Sequence, residues 1–595
     1  MESNLKINKI KSKEKRKFVI GKLSNYTFLQ IKNLSIGMLF TLFTLLADLG
    51  GPLIISRILN REIAQGIGAK SLRVFSFLVA FYFLLLIIGG ITKYFSRYFL
   101  EKAANKIALF MQRDVYKHVQ KLPISYFDEL PAGKVVSRIT NDTKAVKVLF
   151  QIVLSDLITC GIYILVLYIA LFSLDFKFTL ATLIILPILY LLFKDFINKA
   201  SSINKKGRRL LSDLNANLNE NIQGMEIIQS FNQEEKILDE FTLVNNKIYK
   251  NMLNLTKLYA YNSFNATQTL QYLTLGGVLF YFGYGSITGA FAVNIGIIYL
   301  FVDYFTKIFA NLNNAIQRIG NLETSYGAAD HIFELLQIET IPEREEKIEN
   351  INGNIEFNDV SFYYKDEEYV LKDISLKVRP GETVAFVGHT GSGKSTMMNL
   401  LLNFYNVQKG EIIVDGVDIS QLNQEDLRRN IAIVLQDPFL FTGTILSNIT
   451  LNDDRITEED ALNALMKVGG KIILDRHPKG IYTEVKEDGD AFSAGERQLI
   501  SFARALAKNP SILVLDEATA NIDSETETII QKGIEELKKG RTTFLIAHRL
   551  STIKNADKII VLDKGRIIEQ GSHDELISLN GVYKKMYELQ SAKEK

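Results

Sequence analysis

Thr383-Val384-Ala385-Phe386-Val387-Gly388-His389-Thr390-Gly391-Ser392-Gly393-Lys394-Ser395-Thr396 is the stretch that decides how this 595-residue chain is read. A short buried-strand pattern runs straight into a glycine, four residues and Gly-Lys-Ser, the spacing of a phosphate-binding loop. The glycines let backbone N–H groups turn inward around a phosphate, and a helix opening near Lys394 adds the positive end of its dipole. In such a loop the lysine brings charge to the outer phosphates and the hydroxyl of Ser395 ligates Mg²⁺. A second buried strand, Ile512-Leu513-Val514-Leu515, ends in Asp516-Glu517. Asp516 is suited to hold the Mg²⁺ shell, and Glu517 to polarise an attacking water as general base. These features predict an α/β nucleotide-binding domain over 353–595.

Upstream the composition changes. Apolar residues are 47% of the chain, but up to about residue 320 they come in long runs, whereas from about 340 they alternate with charges. Six runs, at 34–59, 72–94, 148–172, 178–196, 263–285 and 292–312, reach or approach the roughly 20 residues that cross a bilayer as helix. They predict an α-helical membrane domain over 33–325, after a basic segment 1–32 and before a linker 326–352. The fourth run holds Pro187 and ends in Lys194 and Asp195; the sixth carries Asp303 and Lys307. Long links follow the second and fourth runs, and basic residues crowd that side: Lys6 to Lys17, then Lys102, Lys106 and Arg113, then Lys199, Lys205 and Arg208. The positive-inside rule places the N-terminus, both long links and the C-terminal domain in the cytoplasm. Both links repeat apolar residues at three-and-four spacing, so the spans are expected to continue as helix beyond the membrane.

Net charge is +3, from 69 basic and 66 acidic residues, which gives no general affinity for nucleic acid. The single cysteine, Cys160, excludes a disulfide framework and cysteine-rich metal sites. Asp48, Asp156, Asp303 and Lys307 are functional candidates because a lone charge in hydrocarbon is costly. Asp303 and Lys307, four apart, equally suit a simple internal pair.

From about Gly353 onward the chain resembles the ATPase domain of ATP-binding-cassette (ABC) transporters, through several separate motifs. Tyr364 falls where that family stacks an aromatic on adenine. Gln436, in Val434-Leu435-Gln436-Asp437-Pro438, matches the glutamine that reaches Mg²⁺ and the attacking water. Ala520-Asn521-Ile522-Asp523 resembles the loop that signals across the dimer, and His548 in Ala547-His548-Arg549 matches a γ-phosphate contact. Ser493 and Gly495 lie in Phe492-Ser493-Ala494-Gly495-Glu496-Arg497-Gln498, at the signature position. The resemblance implies ATP and Mg²⁺ as ligands, with Ser395, Gln436 and Asp516 on the metal. The first half resembles the six-span domain of the exporter branch. Leu122-Pro123-Ile124-Ser125-Tyr126-Phe127-Asp128 and Gly224-Met225-Glu226-Ile227-Ile228-Gln229-Ser230-Phe231 match its two short coupling helices.

The signature departs from the usual Leu-Ser-Gly-Gly-Gln. Ala494 limits backbone freedom, and Glu496 puts a carboxylate near an anion unless it turns away. In this family each ATP sits between one chain's phosphate loop and the other chain's signature, so this chain is half of a dimer of about twelve spans. A complete phosphate-loop side beside an altered signature favours a heterodimer over a homodimer, which stays open. The expected activity is ATP-driven export of a small amphipathic or lipophilic molecule across the plasma membrane. Lipid or peptide export and an ATP-gated channel or regulator are the alternatives.

Overall fold

The computed structural model describes residues 17–63, 69–130, 132–288, 295–319, 322–342, 344, 351–365, 367–486, 489, 491–516, 524–546 and 553–593. Packing divides the chain into two units, Met1–Leu122 with Leu130–Glu339, and Pro123–Glu129 with Thr340–Lys595.

The first unit is helical. Its longest helix, Ala69–Gln120, has 52 residues, or about 78 Å at ~1.5 Å per residue, more than twice the roughly 30 Å of bilayer hydrocarbon. Ile185–Gln223, at 39 residues, also exceeds the membrane, as the three-and-four spacing of the links predicts. Among the described residues five helices are long and apolar enough to cross a membrane: Ile31–Arg61, Leu72–Gln120, Gly133–Leu174, Phe176–Gln223 and Ile295–Ala315. The fifth run of the sequence reading forms the helix Thr267–Ile287, whose threonines, glutamines, glycines and tyrosines dilute its apolar character. Residues 289–294, where the sixth run begins, lie outside the described residues.

Small and hydroxylated residues bring the first two long helices together. A Cβ on Gly37 would lie 2.9 Å from Leu100 Cδ2, so a larger residue there would have to displace the leucine side chain. Thr41 and Ser96 share a hydroxyl hydrogen bond of 2.6 Å, and Thr44 Oγ1 donates to Thr92 Oγ1 at 3.0 Å. Away from water such pairs satisfy polar groups that lipid cannot. Leu45, Leu167, Leu171, Val278, Phe301, Phe305 and Phe309 form the apolar centre. Leu86, Ile87, Leu165, Ile169 and Leu191 are exposed, as a lipid-facing surface requires.

The charged residues of the spans have partners within the unit. Asp303 pairs with Lys307 at 2.8 Å, the arrangement their four-residue spacing allows. Pro52 lacks an N–H, so the helical bond to the Asp48 carbonyl cannot form; Lys307 Nζ donates to that oxygen at 3.0 Å. The Tyr163 hydroxyl donates to the Asp48 carboxylate, and Tyr304 Oη donates to Leu49 O at 3.3 Å. Cys160 is buried and reduced. Residues 326–336, expected in a linker, belong to the helix Leu322–Leu336, whose Ala329, Ile332 and Leu335 are buried within the first unit.

Among the described residues the second unit contains twelve strands: β1 Ile355–Phe362, β2 Leu371–Val378, β3 Thr383–Val387, β4 Lys409–Val414, β5 Val417–Asp418, β6 Ile431–Val434, β7 Gly443–Thr444, β8 Glu484–Val485, β9 Ile512–Asp516, β10 Thr542–Ile546, β11 Lys558–Asp563 and β12 Arg566–Gly571. The central sheet has the order β12-β11-β3-β10-β9-β6, parallel from β11 to β6, with β12 antiparallel at one edge. All five residues of β3 and of β10 are buried, because a parallel sheet is covered on both faces. Alternate residues of β3 serve different cores. Ala385 and Val387 join Leu465, Phe502 and Leu515, while Val384 and Phe386 join Phe357, Met398 and Leu401. A smaller antiparallel sheet, β2-β1-β4-β5, lies in the same unit, whose helices include Glu458–Lys467 and Ala494–Ala507. The short helix Ile124–Glu129 packs as part of this second unit, where the Tyr405 hydroxyl donates to the Asp128 carboxylate.

Candidate nucleotide site at the strand ends

Parallel register puts the chemistry on one edge of the central sheet. β3 ends at Val387 and delivers Gly388; β9 ends at Asp516, opposite Ile546 of β10; β6 ends at Val434, opposite Leu515, two residues before Gln436. Asp516 is half-buried, whereas Gln436 and Ser395 are exposed at the loop and helix start.

The loop 388–396 is built around a buried ammonium. Lys394 is 7% exposed, and its Nζ donates to Gly388 O at 2.8 Å and His389 O at 3.1 Å. Gly393 has φ +106°, and a Cβ there would lie 2.6 Å from Leu371 Cδ2, so conformation and space both demand glycine. It caps the helix Lys394–Leu401, and Ser392 N–H closes the preceding turn on His389 O at 3.1 Å. Ser392 Oγ is buried with no hydrogen-bond partner, and the space beside Gly391 is open. An unpartnered buried hydroxyl beside a buried ammonium at a helix start suits an anionic ligand.

Tyr364 stands over the helix that follows. Its hydroxyl donates to Thr396 Oγ1 at 3.2 Å and accepts from Asn399 Nδ2 at 3.3 Å. Its ring meets Phe362 and Tyr405 edge-on, at 4.8 and 5.0 Å between centroids. The residue is still 42% exposed, which leaves area for a base to stack. Of the other predicted site residues, Glu517, Asp523 and His548 lie outside the described residues; β9 and β10 end one residue before Glu517 and two before His548.

The signature side is arranged differently. Ser493 caps the helix Ala494–Ala507 in a reciprocal box: its Oγ accepts from Glu496 N–H at 3.2 Å, and its own N–H donates to Glu496 Oε2 at 2.8 Å. Glu496 is therefore turned back into its own helix start, only 6% exposed, and its Oε1 lies 3.3 Å from Arg476 Nη1. The carboxylate that threatened an anion is withdrawn. Ser-x-x-Glu is a capping-box spacing, so the sequence carried the signal for this turn; Arg476, far along the chain, carried none.

Arg504 was not legible either. From the helix Ala494–Ala507 its Nε donates to Asn448 O at 2.8 Å, and both terminal nitrogens reach Phe439 O at 3.1 Å. It thereby anchors the segment just after Gln436. Burial pulls its guanidinium below the ordinary arginine range. Lys508, lowered by burial and then by the nearby Arg455 charge, donates to Arg428 O and Ile431 O at the start of β6.

Sheet, loop and capped signature helix, following a helical unit with long apolar helices, define a nucleotide-driven membrane protein. The ABC transporter transmembrane region family matches residues 34–312, and the ABC transporter family matches 371–520. The chain belongs to the ABC transporters, as an exporter half with its membrane and ATPase parts fused. It is a multi-pass membrane protein that binds ATP and couples its hydrolysis to transport, and exporters of this type act as dimers. A Bacillus subtilis protein named "Probable multidrug resistance ABC transporter ATP-binding/permease protein YheH" is 48% identical over 517 residues, 86% of this chain and 76% of that one. A Mycobacterium bovis fatty acid ABC transporter ATP-binding/permease protein is 33% identical over 488 residues, 82% of this chain and 77% of that one. The structure of a bacterial Atm1-family ABC exporter with ATP bound superposes with a TM-score of 0.79 at 25% identity, covering 96% of this chain and 98% of that one.

Proposed function

We propose that this chain is one half of a heterodimeric exporter that moves small amphipathic or lipophilic molecules across the plasma membrane, with its ATPase domain in the cytoplasm. The observation that carries this reading is the contrast within the ATPase unit. The phosphate-loop side keeps every expected group, whereas the signature holds Ala494 and Glu496 where the family has glycine and glutamine. The competent ATP site then joins this chain's Lys394 and Glu517 to a regular signature on a different partner.

In that site Lys394 leaves the loop carbonyls for the β- and γ-phosphates, and Tyr364 stacks on adenine. Ser395, Gln436 and Asp516 would hold Mg²⁺, which supplies positive charge against the phosphates. Glu517 draws the proton from the attacking water, His548 contacts the γ-phosphate, and Asp523 signals across the dimer. Closure of the two ATPase domains uses Ser493 and Gly495 toward the partner's ATP. The short helices Ile124–Glu129 and Met225–Ser230 transmit it to the spans as a switch between two packings. The fatty acid transporter among the relatives favours a lipid-like cargo as the second reading.

ATPase turnover of the chain expressed alone and reconstituted in lipid tests the proposal, with Glu517→Gln as control. A folded, ATP-binding protein with negligible turnover alone fits the heterodimer. Robust turnover abolished by Glu517→Gln means a homodimer, and turnover indifferent to that change removes Glu517 from its role.

A further inference from the structure

The signature carries one negative charge where the family has a neutral amide, and a distant residue supplies the counter-charge. Glu496 stands in the first turn of the helix Ala494–Ala507, buried, with Oε2 on Ser493 N–H at 2.8 Å. Its Oε1 faces Arg476, twenty residues upstream at the end of the helix Lys471–Arg476, at 3.3 Å. The guanidinium side chain is 57% exposed against 7% for the carboxylate, so the arginine reaches in from the surface to a group that cannot reach out. The other nearby cation, Arg497, donates to Phe492 O at 2.7 Å.

We propose that Arg476 is a positioning residue for the ATP site that this signature completes in the dimer. It pins the Glu496 carboxylate against the Ser493 backbone and cancels a charge that would otherwise repel the partner-held triphosphate. This rests on the proposed use of Ser493 and Gly495 toward the partner's ATP. The electrostatics set the scale: at an effective dielectric near 20, two like unit charges roughly 8 Å apart oppose one another by more than tenfold in affinity. A glutamine at 496 has no such charge and needs no arginine. As a surface pair valued for stability alone, the contact would contribute little.

The test is a double-mutant cycle on the full-length chain, purified from membranes of the cells that make it together with its second subunit and reconstituted in lipid. Arg476→Ala, Arg476→Lys, Glu496→Gln and the double variant Arg476→Ala/Glu496→Gln are compared in equilibrium MgATP binding, resolved into the two sites of the dimer, and in the MgATP-dependent rise of the unfolding temperature. Arg476→Ala is expected to weaken MgATP binding at one of the two sites about tenfold, leaving the other unchanged, and to shrink the thermal rise. In the Glu496→Gln background the same change weakens that site less than about twofold, and Arg476→Lys restores most of the loss. Equal effects in both backgrounds, no effect, or a lower unfolding temperature without ATP as the sole change would overturn the proposal. A wild type that hydrolyses no more than Lys394→Ala counts against the exporter reading instead. The thermal rise needs only binding, so it still decides the pair, and its absence in the wild type overturns it.

Discussion

Lys394 and Lys307 are both cations held away from bulk water, one in the phosphate loop and one in a membrane helix, and they are held by different kinds of partner. Lys307 meets a carboxylate one turn back on its own helix and a carbonyl that Pro52 leaves without a helical donor. Those partners are carried by two packed helices and have nowhere to go. Lys394 donates to Gly388 O and His389 O, carbonyls of its own loop, beside an unpartnered Ser392 hydroxyl and open space at Gly391. Loop carbonyls can be exchanged for phosphate oxygens. Lys307 braces a fold; Lys394 waits for a ligand.

Substitution separates the two roles. Lys394→Ala is expected to cut ATP hydrolysis at least about 100-fold by removing charge aimed at the phosphates, read as turnover and loss of the ATP-dependent thermal rise. If it only lowered the unfolding temperature and hydrolysis survived, the comparison would fail. Lys307→Met is expected to cost about 1–3 kcal/mol of stability by leaving Asp303 and the Asp48 carbonyl without their partner, measured by unfolding in detergent, with nucleotide affinity retained. A large loss of ATP affinity there would break the contrast from the other side. The smallest effect is assigned to Pro52→Ala, within about 1 kcal/mol, because it restores an N–H for the Asp48 carbonyl. Its use is in combination: Lys307→Met should cost less in the Pro52→Ala background, since the carbonyl then has a helical donor.

The same contrast runs through what the sequence made legible. The phosphate loop could be read because its chemistry depends on local backbone freedom and a fixed spacing, both properties of consecutive residues. Asp516 at the end of a buried apolar run was legible for the same reason. The helical extensions followed from periodicity, and Ala69–Gln120 and Ile185–Gln223 are as long as the spacing implied. The segment 326–336 was misjudged as linker: its alanines and apolar residues are too few to advertise a span, yet they bury against the first unit. Tyr26 donates to Asp114 at 2.9 Å, a partner 88 positions away that no local pattern signals, and burial with that carboxylate raises its phenol pKa.

By itself the sequence determined a membrane half joined to an ATPase half, a loop with phosphate-binding spacing, and a signature with a carboxylate in it. Those are matters of composition, period and short-range spacing. Only the tertiary structure decided the strand order that gathers Gly388, Gln436 and Asp516 on one sheet edge, and the partners of Asp48 and Lys307. It also decided that Glu496 faces Arg476 and that Arg504 holds the segment after Gln436. Each of these joins residues distant in the chain, and such contacts follow from which apolar faces pack together, which no local pattern records.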